Sequence, residues 1–409
     1  MRIVPVLAGA IAICAAVSFA DLVDLLPPDL KHPAVHYFSK SRRDPVALLD
    51  EKLAARRVDL KFEDRSGYLR SVLEALQVPV ESQVAVFSKT SLQANLIEPR
   101  NPRTIFFNDA VAVAWMKGGF IELASHDPEQ GVIFYKLQQQ RVRSPRFERE
   151  DGCLRCHLTD ASLGVAGMLT RSMFTAPDGA PRLIFGGGNP DHRTPLEDRW
   201  GGWYVTGSVG TARHMGNAML RGDDLKSMVT AATLNVATLQ GRFDNANYLS
   251  PYSDVAALMV FDHQMHMMNL ITRVGWEART GSAARDVAVK ELVDYLLFVD
   301  EAVLKDKLKG SSGFTEKFTA LGPTDSKGRS LRDLDLTRRL LRYPCSYMIY
   351  SDAFEALPAD VKDAAYKRMW KILSGDEKGA KYARLTLVDR RAVVEILRET
   401  KKDLPGYFQ

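Results

Sequence analysis

The sequence predicts an α+β fold with short N-terminal helices, a β-rich middle and a helical C-terminal half. Apolar residues recur at helical spacing before residue 80 and again after residue 251. Between these two parts, short runs of β-branched and aromatic residues are separated by Gly and Pro. Because helical and strand-like segments are segregated along the chain, the pattern is that of an α+β fold.

The N-terminal helical segment is predicted within residues 21–80. Asp44 followed by Pro45 is typical of a helix start, with Asp as the N-cap and Pro at the first helical position. This helix is predicted to end near Arg57. A second helix is predicted to follow it and to end before Pro79.

Residues 81–250 are predicted to form a β-rich region. Gly118 and Gly119 after Lys117 are typical of a hairpin turn between two of its strands. The predicted strands span residues 84–87, 104–107, 110–115, 120–123, 132–137, 182–185 and 202–206.

Residues 251–409 are predicted to be helical. Gly310 to Gly313 is expected to form a flexible break between the longer helices and the shorter ones. The predicted helices span residues 253–279, 284–308, 331–343, 359–373 and 389–401.

Residues 1–20 have the pattern of a secretory signal peptide. Arg2 is the only charged residue, an apolar run follows, and small residues up to Ala20 offer a cleavage site. The run is shorter than the roughly 20 residues that a membrane-spanning helix needs, although an uncleaved anchor remains an alternative. No later segment predicts a transmembrane helix. The mature protein is therefore expected in the periplasm or outside the cell.

The composition is that of an ordinary globular protein, with 46% hydrophobic and 26% charged residues in 409. The formal net charge of +5 is small, and the basic residues are spread along the chain. Nucleic acid is therefore not an expected partner. Removing the leader with Cys14 would leave three of the four cysteines, too few for a disulfide scaffold. Cys345 is expected to be a buried or unpaired thiol.

Cys153-Leu154-Arg155-Cys156-His157 is a Cys-x-x-Cys-His motif, the attachment sequence of c-type haem. Two thiols at this spacing can add to the vinyl groups at one edge of the porphyrin. His157 would then ligate the iron as the proximal ligand. The sequence predicts one covalent haem c, because the motif occurs once. A thioredoxin-like dithiol, a structural zinc site and a plain disulfide remain alternatives.

The ligand on the opposite side of the iron is left open between three residues. His214 and Met215 follow a stretch rich in Gly and aromatic residues that could close over a flat apolar ring. His263 lies on an apolar face of the helix predicted at 253–279, where it could equally be a core histidine or, with His266, a separate metal ligand. The remaining histidines are expected at the surface or in turns: His32, His36, His126 and His192.

The motif and the leader resemble the c-type cytochrome superfamily. The segments 199–207, 213–217 and 262–264 further resemble a group of large, mostly uncharacterised exported bacterial proteins with a single haem motif, over residues 80–280. The resemblance implies a haem and a location outside the cytoplasm, but it implies no substrate. Only Cys153, Cys156 and His157 match the general motif residue by residue.

Electron transfer is the favoured function, with a six-coordinate haem that passes electrons between a membrane electron donor or another redox partner protein and an acceptor. A haem enzyme of peroxidase type is the first alternative. It would leave the distal position open, with His214 or His263 as acid/base and Arg213 stabilising charge. A haem sensor or scaffold is the second alternative.

Overall fold

A computed structural model describes residues 28–38, 41–225 and 228–408. The signal peptide predicted at residues 1–20 lies outside the described residues. The predicted α+β class is confirmed, since an antiparallel sheet occupies the middle of the chain and the longer helices lie in the C-terminal half. None of the described helices is both long and apolar enough to cross a membrane.

A seven-stranded sheet with the order β6-β5-β4-β3-β2-β1-β9 forms the centre of the fold, and β7 pairs with β8 separately. Strands β1 to β6 are joined in sequence as an antiparallel meander. The predicted hairpin turn is confirmed between β3 and β4, where Gly118 has a φ of 85°. The strands are β1 Val84–Val86, β2 Arg103–Phe107, β3 Val111–Trp115, β4 Ile121–Asp127, β5 Gly131–Leu137, β6 Glu148–Arg149, β7 Ser172–Met173, β8 Gly187–Gly188 and β9 Trp203–Tyr204.

One long helix, α5, packs in the core with nearly all its residues buried. The Asp254 carboxylate caps it by accepting from the N–H groups of Ala256 and Ala257. The described helices are α1 Pro28–Lys31, α2 Pro45–Ala54, α3 Leu69–Ala75, α4 Leu154–His157, α5 Val255–Arg279, α6 Arg285–Leu296, α7 Phe314–Ala320, α8 Asp352–Glu355, α9 Ala359–Ser374 and α10 Leu387–Thr400.

The single long helix predicted at 284–308 is wrong, because α6 ends at Leu296. Phe298 and Asp300 adopt left-handed backbone conformations, with φ of 54° and 62°. Such residues turn the chain away from the helix axis and cannot continue a right-handed helix.

The helix predicted at 331–343 is also wrong. There the Asp335 carboxylate accepts hydrogen bonds from the N–H groups of Thr337 and Arg338, and Leu336 has a φ of 53°. A side chain that bonds the backbone locally competes with helix formation.

The strand predicted at 182–185 is wrong, since Leu183–Phe185 is a 3-10 turn. Gly186 after it has a φ of 81°, which reverses the chain before β8.

The buried apolar residues form one large core between the sheet and the C-terminal helices. A small satellite cluster lies apart from it and contains Met215, Ala218, Leu220 and Met228. Phe174 and Phe185 pack against this cluster. The haem motif belongs to the large core through Leu154, whereas the candidate ligand Met215 belongs to the satellite cluster.

Candidate haem-attachment site

The haem motif lies on a short helical segment directly after the edge strand β6. Asp151–Cys153 forms a 3-10 turn and continues into α4. Leu154 is 1% exposed and anchors the segment in the core. Cys153 and Cys156 are three residues apart, so their side chains lie on the same side of a helical turn. Cys153 is half-buried and Cys156 is exposed, and both are free thiols.

His157 is held in one tautomer by a backbone carbonyl. Its Nδ1 lies 2.9 Å from the Gly167 oxygen, which can only accept, so Nδ1 carries the proton. The lone pair is therefore on Nε2, to which no hydrogen bond is made among the described residues. Phe134 packs on the ring at a centroid distance of 4.9 Å. Burial lowers the pKa of His157 to about 4, so the imidazole is neutral at pH 7. A neutral imidazole with Nε2 available is the form that binds a metal.

Asn269 of α5 fixes the position of the Gly167 carbonyl. Its side chain accepts from the Met168 N–H and donates to the Met168 oxygen, both at 2.8 Å. A Cβ at Gly167 would lie 2.2 Å from the Asn269 oxygen, so a side chain there is excluded unless Asn269 moves. The long helix thus holds the loop that orients His157.

The alternatives to haem find little support in the geometry. No group of three or more His, Cys, Asp or Glu side chains suited to a metal ion occurs among the described residues, which disfavours a zinc site. Burial raises the pKa of the Cys153 thiol, opposite to the lowered pKa of a thioredoxin-like cysteine. Neither thiol is in a disulfide, and a disulfide would give His157 no role.

Met215 lies beside β7, the strand that follows the haem segment. Its sulfur is 3.7 Å from the Ser172 hydroxyl, and its N–H donates to the Arg199 oxygen at 3.0 Å. His214 is 1% exposed and packs 5.6 Å from the Trp200 ring. No hydrogen bond of good geometry reaches its buried Nδ1, although the Gly216 backbone lies beside it, and burial lowers its pKa to about 4.

His263 lies in a buried network that contains no residue of the haem segment. Its Nδ1 is 2.8 Å from the Nδ1 of His192, and its Nε2 is 2.7 Å from the Ser346 hydroxyl. Both ring nitrogens are thus engaged. The inward orientation inferred from helical spacing is confirmed, since His263 is 0% exposed. His266 is half-buried, and its Nε2 lies 3.1 Å from the Arg193 guanidinium.

His192 and His126, which the sequence predicts in turns or at the surface, are both buried. His192 is 1% exposed and stacks on Tyr295 at a centroid distance of 3.9 Å. His126 is 5% exposed, and its Nε2 lies 2.9 Å from the Thr272 hydroxyl. The turn residues around both histidines correctly indicate a chain reversal, but helix α5 and its neighbours cover that reversal. His32 is half-buried and His36 is exposed, in line with their prediction.

Two arginines lie near His157 that no local sequence pattern predicts to be there. Arg103 of β2 and Arg171 before β7 both lower the pKa of His157 electrostatically. Arg103 also pairs with Glu122 at 2.9 Å, and its Nε is buried without a partner. These residues are brought to the motif by strand pairing across the sheet and by the return of the chain, which no local pattern predicts.

A second missed feature is a buried ion pair beneath the stretch rich in Gly and aromatic residues. Arg199 and Asp262 are each 1% exposed and lie 3.6 Å apart. The Trp200 indole N–H donates to Asp262 at 2.9 Å. Burial nevertheless raises the pKa of Asp262 to about 7. Cys345 is buried and free, as expected.

The chain matches no protein-family model, no curated protein and no solved structure. The resemblance to c-type cytochromes therefore depends on the motif residues themselves and stays a prediction.

Proposed function

We propose that this chain is an exported c-type cytochrome that transfers single electrons through one covalent haem c. Cys153 and Cys156 would form the thioethers, and His157 would be the proximal iron ligand. The supporting observation is the hydrogen bond from His157 Nδ1 to the Gly167 carbonyl, which leaves Nε2 available on the residue that directly follows the second thiol. A redox partner protein or a membrane electron donor in the periplasm would supply the electrons.

The haem would supply the electron carrier, and the chain would hold and tune it. Leu154 anchors the motif in the core, so the edge of the haem that carries the thioethers would be fixed relative to the sheet. The Gly167 carbonyl would make the imidazole of His157 a stronger electron donor by accepting a hydrogen bond from its Nδ1–H. A more basic axial ligand stabilises the oxidised iron and lowers the reduction potential.

Met215 is the sixth ligand that the arrangement favours. Its thioether accepts one long hydrogen bond, from the Ser172 hydroxyl at 3.7 Å, and this weak contact is all that it would give up to bind iron. His263 would first have to leave both His192 and Ser346. His214 is the second candidate, because no hydrogen bond of good geometry reaches its Nδ1.

The peroxidase-type alternative needs a basic group and a cation beside an open iron. Arg213 is exposed and donates to the Val229 oxygen at 3.0 Å, and no hydrogen bond joins it to His214 or His263 in the described part of the chain. The peroxidase-type function therefore stays the alternative, with less support than electron transfer.

The proposal is tested by producing the full chain in a host with a haem-attachment system. We expect haem that stays bound after acid-acetone extraction and a six-coordinate low-spin spectrum that does not respond to peroxide. Replacing Cys153 or Cys156 by Ala should abolish covalent haem. Cys345→Ala is the matched control, since it removes a cysteine outside the motif, and it should retain the haem. Protein without covalent haem would refute the proposal, and a high-spin haem that binds peroxide would favour the enzyme.

The sixth ligand is tested by Met215→Leu, which should convert the low-spin spectrum to a high-spin one. Met228→Leu is the matched control, because both methionines are 8% exposed in the same satellite cluster. A change that appears only in His214→Ala would assign the ligand to His214.

A further inference from the structure

A short apolar turn stands out on the surface that follows the haem segment. Leu183 and Ile184 are 71% and 86% exposed. They are adjacent, and Phe185 beside them packs on the satellite cluster that contains Met215. Two adjacent aliphatic side chains at this exposure are costly in water, since burying each would contribute about 1.5–3 kcal/mol.

The turn is held in place at both of its ends. On one side, Ser172 and Met173 of β7 pair with β8. On the other, the Arg182 N–H donates to the Phe174 oxygen at 2.8 Å. Residues 182–186 thus bulge outward between two hydrogen-bonded ends. An ion pair at 3.0 Å between Arg182 and Asp223 further stabilises the start of this turn. The exposed side chains therefore sit at a defined place in the fold.

That place is within reach of the haem motif. His157 is hydrogen-bonded to Gly167, and the six Cα–Cα steps from Gly167 to Met173 span at most about 20 Å. Arg171, two residues before Met173, is close enough to lower the pKa of His157. The hairpin that carries the turn therefore begins within that span of the carbonyl that orients His157.

We propose that Leu183 and Ile184 form an apolar cover that packs on the haem. The inference depends on the proposed function, since it assigns the ligand of this surface as the haem carried by Cys153 and Cys156. The porphyrin is the flat apolar group that chain connectivity brings to this turn. Phe185 would join the cover to the cluster of Met215, so that the same hairpin excludes water from the ring and supports the candidate sixth ligand.

Hydrogen-deuterium exchange tests the cover directly. The haem-loaded chain is compared with the haem-free Cys153→Ala/Cys156→Ala variant over residues 182–188. We expect exchange in this segment to slow by about tenfold or more when haem is bound. Equal exchange in both forms would overturn the inference.

The second test is the double variant Leu183→Ser/Ile184→Ser. We expect cyanide or imidazole to reach the haem iron about tenfold faster than in the unmodified protein. The melting temperature should fall only when haem is attached, because in the haem-free chain these side chains are already exposed. Leu387→Ser/Val388→Ser is the matched control, since this adjacent pair is 70% and 78% exposed at the start of α10, and it should change neither property.

The outcomes distinguish a failure of the apolar cover from a failure of the proposed function. If the unmodified chain attaches no haem, the proposed function itself fails. If haem is attached but exchange over residues 182–188 is equal with and without haem, or the double Ser variant leaves ligand entry unchanged, the cover is wrong and the cytochrome stands. Slower electron transfer to a partner with unchanged ligand entry would assign the turn to protein docking, and would also overturn the cover.

Discussion

His157 and His263 lie in two regions that differ in how many imidazole nitrogens have a hydrogen-bond partner. Both rings are neutral, because burial lowers the pKa of His157 to about 4 and that of His263 to about 3. His157 has one nitrogen bonded to a carbonyl and the other available. His263 has one nitrogen bonded to His192 and the other to Ser346.

The difference shows that burial alone does not identify a metal ligand. A buried histidine must satisfy both nitrogens or give one to a metal. The residues that satisfy His263 come from distant parts of the chain, and those around His157 leave Nε2 available. The two regions share α5, which carries His263 in one part and Asn269 further along, so variants on one helix can separate their roles.

The largest effect is expected at His157. His157→Ala should eliminate the low-spin spectrum and leave any attached haem without its proximal ligand. The contrast with His263 is direct, because a variant there should leave the spectrum intact. The measurement is the optical spectrum of purified protein in both oxidation states. An unchanged spectrum in His157→Ala would contradict the assignment of the proximal ligand.

The next largest expected effect is a loss of stability in acid, caused by the buried histidines away from the Cys153–His157 motif. The folded pKa of His126 is about 4, below the unfolded value of about 6.5. Protons therefore bind the unfolded chain first, so the stability is complete above pH 6.5 and is lost as the pH falls towards 4. For His126 alone the loss is roughly 3 kcal/mol, and His263 adds to it in the same direction.

Urea unfolding of the haem-loaded protein between pH 7.5 and 4 measures this loss. His126→Gln is the control, because Gln can bond to Thr272 and does not titrate. It should flatten part of the pH dependence. A free energy of unfolding that stays constant down to pH 4.5 would contradict the prediction.

Breaking the His263 network should cost roughly 2–4 kcal/mol, because His192 and Ser346 each lose a buried partner. His263→Leu should therefore lower the urea midpoint and leave the haem spectrum unchanged. A spectrum that turns high-spin in this variant would instead make His263 the sixth ligand and remove the contrast between the two regions.

The sequence predicts those parts of the fold and site that depend on neighbours along the chain. The strands β1 to β5, the start of α2 at Pro45 and the long helix near 253–279 follow from local periodicity and capping. The helix predicted at 331–343 failed because Asp335 bonds to the backbone beside it. The motif itself could be read directly, but the Gly167 contact, the burial of His192 and the partners of His263 depend on tertiary packing.

The smallest expected effect comes from Asn269, which lies on the same helix, α5, as His263 but supports the region of His157. Asn269→Ala removes two hydrogen bonds to Met168 and should cost about 1–3 kcal/mol. The Gly167 carbonyl would then be held less firmly against His157, and a weaker hydrogen bond makes the imidazole a poorer electron donor. The reduction potential should therefore rise, as measured by spectroelectrochemistry.

Gln264→Ala is the matched control for that variant, because Gln264 is also a buried amide on α5 with two hydrogen bonds, to the Asn108 oxygen and from the Tyr347 hydroxyl, both at 2.7 Å. It should cost a similar free energy of unfolding, since the same number of buried bonds is lost. It should leave the potential unchanged, because its partners do not contact His157. Equal shifts of the potential in both variants would mean that α5 acts through general loosening, and that Asn269 does not position the carbonyl.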